Sequence, residues 1–203
     1  KYHNKLLKKS AEIIVMHESL QPKQAYVLTR GEYDKRAEPV QPSTPTVLPS
    51  FSGELPRNRL GLARWLLDPD HPLLARVTVN RFWQALFGEG LVRSAEDFGS
   101  QAMQPEYPEL LDLLAWKFSH PKDQGGFAWD VKSLLRFIMT SDTYQQKSLA
   151  AGRVMENDPE NSWLARGPRH RLPAEMIRDN ALSASGLLDE TLGGPPVRPY
   201  DIA

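Results

Sequence analysis

The stretch Pro72-Leu-Leu-Ala-Arg-Val-Thr-Val-Asn-Arg-Phe-Trp-Gln-Ala-Leu-Phe87, closed by Gly88, decides the fold. Pro72 suits the first turn of a helix, where a missing N–H costs nothing, and Gly88 suits the position just past its end. Leu73, Val77, Val79, Phe82, Trp83, Leu86 and Phe87 cover most of the circumference. A helix that is apolar nearly all round belongs at the centre of a core.

Helical periodicity continues on both sides. Upstream, Leu60, Ala63 and Leu67 share one face, with Trp65 and Leu66 beside them, and Asp68-Pro69 stops that helix. Downstream, a third helix is expected from Pro105–Pro108, carrying Leu110, Leu111, Leu113, Leu114 and Phe118. Asp130 is a plausible N-cap for a fourth with Val131, Leu134, Leu135 and Ile138. Ser141, Asp142, Thr143 and Tyr144 then read as a capping turn. Pro173 opens a fifth, carrying Met176, Ile177, Ala181 and Ala184, and Gly186 closes it.

The beginning of the chain is different. A short helix over Lys5–Val15 is followed by the β-prone run Ala25–Thr29, which Gly31 breaks. Prolines at 39, 42, 45, 49 and 56 then impose extended geometry. The reading is a mainly α protein. Residues 1–56 form an extended, proline-rich arm with room for one small β-hairpin, and residues 57–203 form an irregular bundle of about five helices.

Composition narrows the function classes. Of 203 residues, 40% are hydrophobic and 25% charged, which is globular and not disordered. Lys and Arg balance Asp and Glu at 25 each, so the basic excess of a nucleic-acid binder is missing. No cysteine is present, which excludes disulfides, thiolate metal sites and a c-type haem attachment within these residues. No apolar run approaches the roughly 18 residues that span a bilayer. The chain starts at Lys1 and ends in Pro199–Ala203 without helix-stop logic, so both ends read as cuts through something longer.

Two polar sets stand out against this scaffold. Arg76, Asn80 and Gln84 fall at i, i+4 and i+8 on the central helix, with Arg81 and Thr78 nearby. An unpaired buried amide costs about 1–3 kcal/mol, so such a row needs partners. It is either an anion or sugar-hydroxyl site or an internal network, and the internal network is favoured. Arg171, Glu175, Arg178 and Asp179 make the second set, on the fifth helix. Two close carboxylates could do acid–base work, but a solvated ion-pair ladder is the commoner outcome.

Gly88, Gly90, Asp97 and Gly99 mark a turn-rich loop after the central helix. It is no phosphate cradle, since no Gly-Lys-Ser/Thr follows, and Asp97-Phe98-Gly99 lacks every other kinase motif. The histidines at 3, 17, 71, 120 and 170 are scattered, without the helical spacing of a metal pair. No nucleophile elbow occurs, and no residue is identified as catalytic. Trp129, Trp163 and Tyr144 are candidates for stacking on sugar rings.

The longer run His71–Gly99 resembles planctomycete-specific domain one, a family of unknown function. Val27–Tyr33, Pro108–Ala115, Ile138–Tyr144, Asp158-Pro-Glu-Asn161, Arg171–Asp179, Ser185-Gly186 and Gly193–Pro195 match it as well. The resemblance implies an extracytoplasmic protein whose other regions include a signal peptide, a cytochrome-c-like region that would hold the haem, and sometimes carbohydrate-recognising modules. It supplies no catalytic residues. His71 departs from the family, which often has Asn as the helix cap there.

Three functions follow as expectations. The first is a non-catalytic scaffold docking other domains of its own polypeptide. The second is a glycan-binding or polysaccharide-degrading part, and the third is a subunit of a secreted structural assembly.

Overall fold

Helices follow from residue 59 onward wherever the apolar positions recur at helical spacing, and the described residues before them hold one pair of strands. The computed structural model describes residues 14–193 except 20, 22, 31, 150, 151 and 192. The expected helix over Lys5–Val15 and the break at Gly31 therefore fall largely outside the described residues. Two strands, β1 (Ala25–Leu28) and β2 (Arg36–Val40), form an antiparallel pair with Ala25 opposite Val40 and Tyr26 opposite Pro39. An irregularity between Tyr26 and Leu28 shifts the register before Leu28 meets Arg36.

Seven α-helices follow among the described residues: α1 (Arg59–Leu66), α2 (Leu74–Phe87), α3 (Pro108–Ser119), α4 (Val131–Met139), α5 (Asp142–Gln145), α6 (Gly152–Asn157) and α7 (Ala174–Ser185). The protein is mainly α with one small hairpin. The capping turn at Ser141 is the start of α5, and α6 is an addition to the helices the periodicity gives. No described helix is long and apolar enough to cross a membrane.

The chain divides into two compact units, Lys1–Arg76 with Ala115–Trp129, and Val77–Leu114 with Asp130–Ala203. In the first, the buried apolar side chains are Trp65, Ala75, Ala115 and Phe118. Here the arm fixes α1. Trp65 Nε1 donates to Pro49 O at 2.9 Å, and a Cβ on Gly61 would stand 1.8 Å from Pro56 O. The buried face of α1 is consequently Gly61 and Trp65, while Leu60 and Leu67 are about half exposed, at 53% and 49%. The expected Leu60/Ala63/Leu67 face loses because the indole has the largest apolar surface to bury and also a donor that the arm satisfies.

In the second unit the buried apolar set is Val79, Trp83, Val92, Leu111, Leu114, Leu134 and Ile138. Along α2 only Arg81 and Ala85 are exposed, as its apolar circumference requires. Asp130 caps α4, its carboxylate accepting from Ser133 N at 3.2 Å, and Ser141 caps α5 by accepting from Tyr144 N at 3.3 Å. Helix α7 buries none of its residues, and Met176 and Ile177 are exposed.

Candidate functional site

Helix α2 must stop where the chain turns into the 88–99 loop, and Gly88 provides the stop. Its φ of +92° lies in the left-handed region, open to glycine without a side-chain clash, and its N–H reaches Gln84 O at 2.8 Å. The loop then folds back on Asn80. This side chain is fully buried, donating through Nδ2 to Val92 O at 2.8 Å and accepting at Oδ1 from Val92 N at 2.9 Å. Gly90 sits inside that clamp, where a Cβ would meet Asn80 Nδ2 and Val92 O at 2.6 Å each. Two residues singled out separately in the sequence, Asn80 and Gly90, thus belong to one structural feature.

The remaining candidates are dispersed. Arg76 lies in the first unit, where Nη1 donates to Pro72 O one turn earlier. Arg81 is exposed and Gln84 half-buried. Asp97 Oδ1 accepts from Gly99 N at 2.7 Å in a local turn. Arg171, Glu175, Arg178 and Asp179 are all exposed, with an ion pair of 3.6 Å between Arg178 and Asp179. Among the aromatic candidates, Tyr144 sets its ring edge-on to Phe87 at 5.5 Å, Trp129 does the same to Phe118 at 5.0 Å, and Trp163 is exposed.

A second buried feature has no counterpart in the periodicity. Asp158 is 4% exposed and accepts from the N–H groups of Ser162 and Trp163 at 2.7 and 2.9 Å. Arg166, 6% exposed, donates to the carbonyls of Asp158 and Pro159 at 2.8 and 2.7 Å. Asn161 and Arg166 exchange side-chain-to-backbone bonds in both directions. Asn161 and Leu164, at φ +58° and +50°, let the segment coil tightly enough to do this. The Asp-Pro and Asn signals of a turn were visible in Asp158-Pro-Glu-Asn161, but the central role of Arg166 was not.

This coil presents Glu160, Asn161, Ser162 and Leu164 to a cleft in the second unit with a volume of about 60 Å³. Its other walls are Trp83 and Phe87 of α2, Glu89, Gly90, Leu91 and Arg93 of the loop, and Glu106 and Tyr107. Trp83 and Phe87 stack one turn apart with ring centres 4.0 Å apart. Arg93 is clamped: Nη1 pairs with Glu160, Nη2 donates to Ser162 Oγ, and Nε lies 3.5 Å from Glu89. The Glu160 hydrogen bond, aided by the charges of Glu89, Glu160 and Glu106, raises the Arg93 guanidinium above its ordinary range against the effect of burial. Glu106 has no hydrogen-bond or ion-pair partner among the described residues.

Sequence reasoning missed this cleft because Arg93 and Glu160 are 67 positions apart, and the stretches that carry them give no sign that they pair. Among the described residues, no group of three or more His, Asp or Glu is placed to hold a metal ion.

A family model described as PSD1, protein of unknown function (DUF1553), matches residues 58–202. No curated protein and no solved structure matches the chain.

Proposed function

The chain belongs to the PSD1 family of unknown function, and from that premise we propose that it is a non-catalytic helical scaffold that docks other domains of its own polypeptide. One observation carries this reading. The buried polar side chains among the described residues are His71, Asn80, Ser119, Asp158 and Arg166, and every one of them bonds to main chain. Polar groups that hold loops in place are doing structural work, whereas a catalytic centre keeps reactive groups convergent on a substrate.

On this reading the protein acts outside the cytoplasm, in the company of cytochrome-c-like and carbohydrate-related domains. A c-type haem would belong to those other regions, because this chain has no cysteine for its attachment. The test is a calorimetric titration of the full chain against the separately produced cytochrome-c-like region of the same gene. Saturable binding is expected. No binding, or release of reducing ends when the chain is incubated with polysaccharides, overturns the proposal.

A glycan-binding role is the second reading, favoured by the exposure of Trp116 and Trp163. Carbohydrate stacks on such rings. A rise in melting temperature with oligosaccharides, abolished by Trp163→Ala or Trp116→Ala, would support it over the first.

A further inference from the structure

Helix α7 carries an apolar face that none of the described residues covers. Ile177, Ala181 and Ala184 recur at i, i+4 and i+7, with Ala174 one turn before them and Leu188 just past the Gly186 stop. Ile177 is 50% and Leu188 37% exposed, and the three alanines are exposed as well. Glu175 and Asp179 lie on the opposite side of the helix, so its two faces differ in polarity.

A helix of 12 residues is marginal in water on its own propensity, and packing of its apolar face is what normally holds it. Helix α7 buries none of its residues. The missing packing must therefore come from a second surface.

The charges at its two ends select that surface. Arg169 and Arg171 precede the helix, Asp189 and Glu190 follow it, and all four are exposed. A second copy of α7 laid antiparallel brings the basic flank of each copy to the acidic flank of the other, and sets their helix dipoles in opposition. A parallel pair would bring like charges together at both ends. Turning the second copy about Ala181 also sets Ile177 against Ala184, large against small, which lets the two helices approach closely and interdigitate.

We propose that α7 is a self-association surface through which two copies of this chain pair antiparallel, about a two-fold axis near Ala181. Each contact is then made twice, as in any isologous interface. The proposal goes beyond the docking reading and does not rest on it. Two 12-residue helices bury an area below the ~1,200 Å² of a standard stable interface. The dimer is accordingly weak, with a dissociation constant of about 0.1–1 mM.

The test is sedimentation velocity of the full chain from about 10 μM to about 1 mM, on the wild type, two charge-reversed variants and their equimolar mixture. One variant is Arg169→Glu with Arg171→Glu, and the other is Asp189→Lys with Glu190→Lys. The wild type is expected to move from monomer to dimer across the range. Each variant alone should associate about tenfold more weakly, because both of its end contacts become like-charged. The mixture should regain wild-type association, since every flank again meets its opposite.

Ile177→Asp should abolish dimerisation, and because Ile177 is half exposed its circular dichroism should match the wild type. The mixing experiment needs no change in the apolar face and decides the matter even if that variant unfolds. The proposal is overturned if the chain stays monomeric throughout, if folded Ile177→Asp dimerises as the wild type does, or if the mixture associates no better than its components. Any of these results means that a different partner covers α7.

Discussion

Asn80 and Val92 exchange two hydrogen bonds, the side-chain amide of the first taking the place of a strand partner for the main chain of the second. Both residues are buried, at 0% and 4% exposure, so with Asn80 in place bulk water does not compete for either bond. Asn80→Leu keeps the volume but leaves a donor and an acceptor of Val92 unsatisfied. At about 1–3 kcal/mol for each orphaned group, the loss should be roughly 2–6 kcal/mol, read as a drop in the denaturant midpoint. Asn80→Ser should do better than Asn80→Leu if a water can enter, and a smaller loss for Leu would contradict the clamp.

Gly90→Ala tests the same clamp from inside. Its new methyl would meet Val92 O, a backbone atom, at 2.6 Å. Overpacking of this kind costs about 2–3 kcal/mol. Combining it with Asn80→Ala should give less than the sum of the two losses, because both disrupt one feature. Gly125→Ala is the control for backbone conformation alone, since its φ is +85° with nothing within 4 Å of the added methyl.

His71 does at the start of α2 what an asparagine or aspartate usually does. Its Nδ1 accepts from the N–H groups of Leu73 and Leu74, both at 3.4 Å, while its ring lies edge-on to Trp65 at 4.6 Å. Its Nε2 is buried without a partner. His71→Ala should cost about 1–2 kcal/mol by loss of the cap and the ring contact. His71→Asn should recover part of that. Equal melting temperatures for the Ala and Asn variants would rule out the cap.

Asp158→Ala removes the acceptor of two backbone N–H groups in the Asp158–Arg166 coil. We expect a loss of about 2–4 kcal/mol and faster proteolytic cutting between 158 and 166. Arg166→Lys should weaken the coil as well, because an ammonium cannot fork across two successive carbonyls as the guanidinium does. Unchanged proteolysis in both variants would show that the coil holds without these contacts.

The pair Glu18–Arg59 gives a pH dependence whose sign is fixed. Hydrogen bonds from the Arg59 side chain, at 2.7 Å, and then from its backbone N–H hold the Glu18 carboxyl below the ordinary glutamate range. A lowered folded-state value means that the contribution is present above the unfolded-state value and disappears as pH falls through the folded one. Both side chains are solvent-exposed, so the effect on stability is small. Carboxyl NMR titration should place Glu18 below the ordinary glutamate range, and Arg59→Gln should move it back up.

Much of this was legible along the chain. Proline and glycine placement announced α2 and α7, Asp130 and Ser141 announced their caps, and the β-prone run Ala25–Thr29 announced β1. The face of α1 was not legible, because Leu60, Trp65 and Leu67 compete for burial and only the position of Pro49 decides among them. The importance of Asn80 was readable as a polar residue on an apolar helix, yet its partner was not, since Val92 advertises nothing beyond hydrophobicity. The cleft was hidden altogether, for Arg93, Glu106 and Glu160 are ordinary charged residues until the fold collects them.

What the sequence settled by itself is whatever depends on near neighbours: helical periodicity, turn chemistry, capping and the absence of thiol chemistry, all governed by contacts within a few residues. Only the tertiary structure decided which polar groups are satisfied and which remain open. A hydrogen-bond partner twelve or sixty-seven positions away is chosen by the path of the chain in space, and no local preference encodes that path.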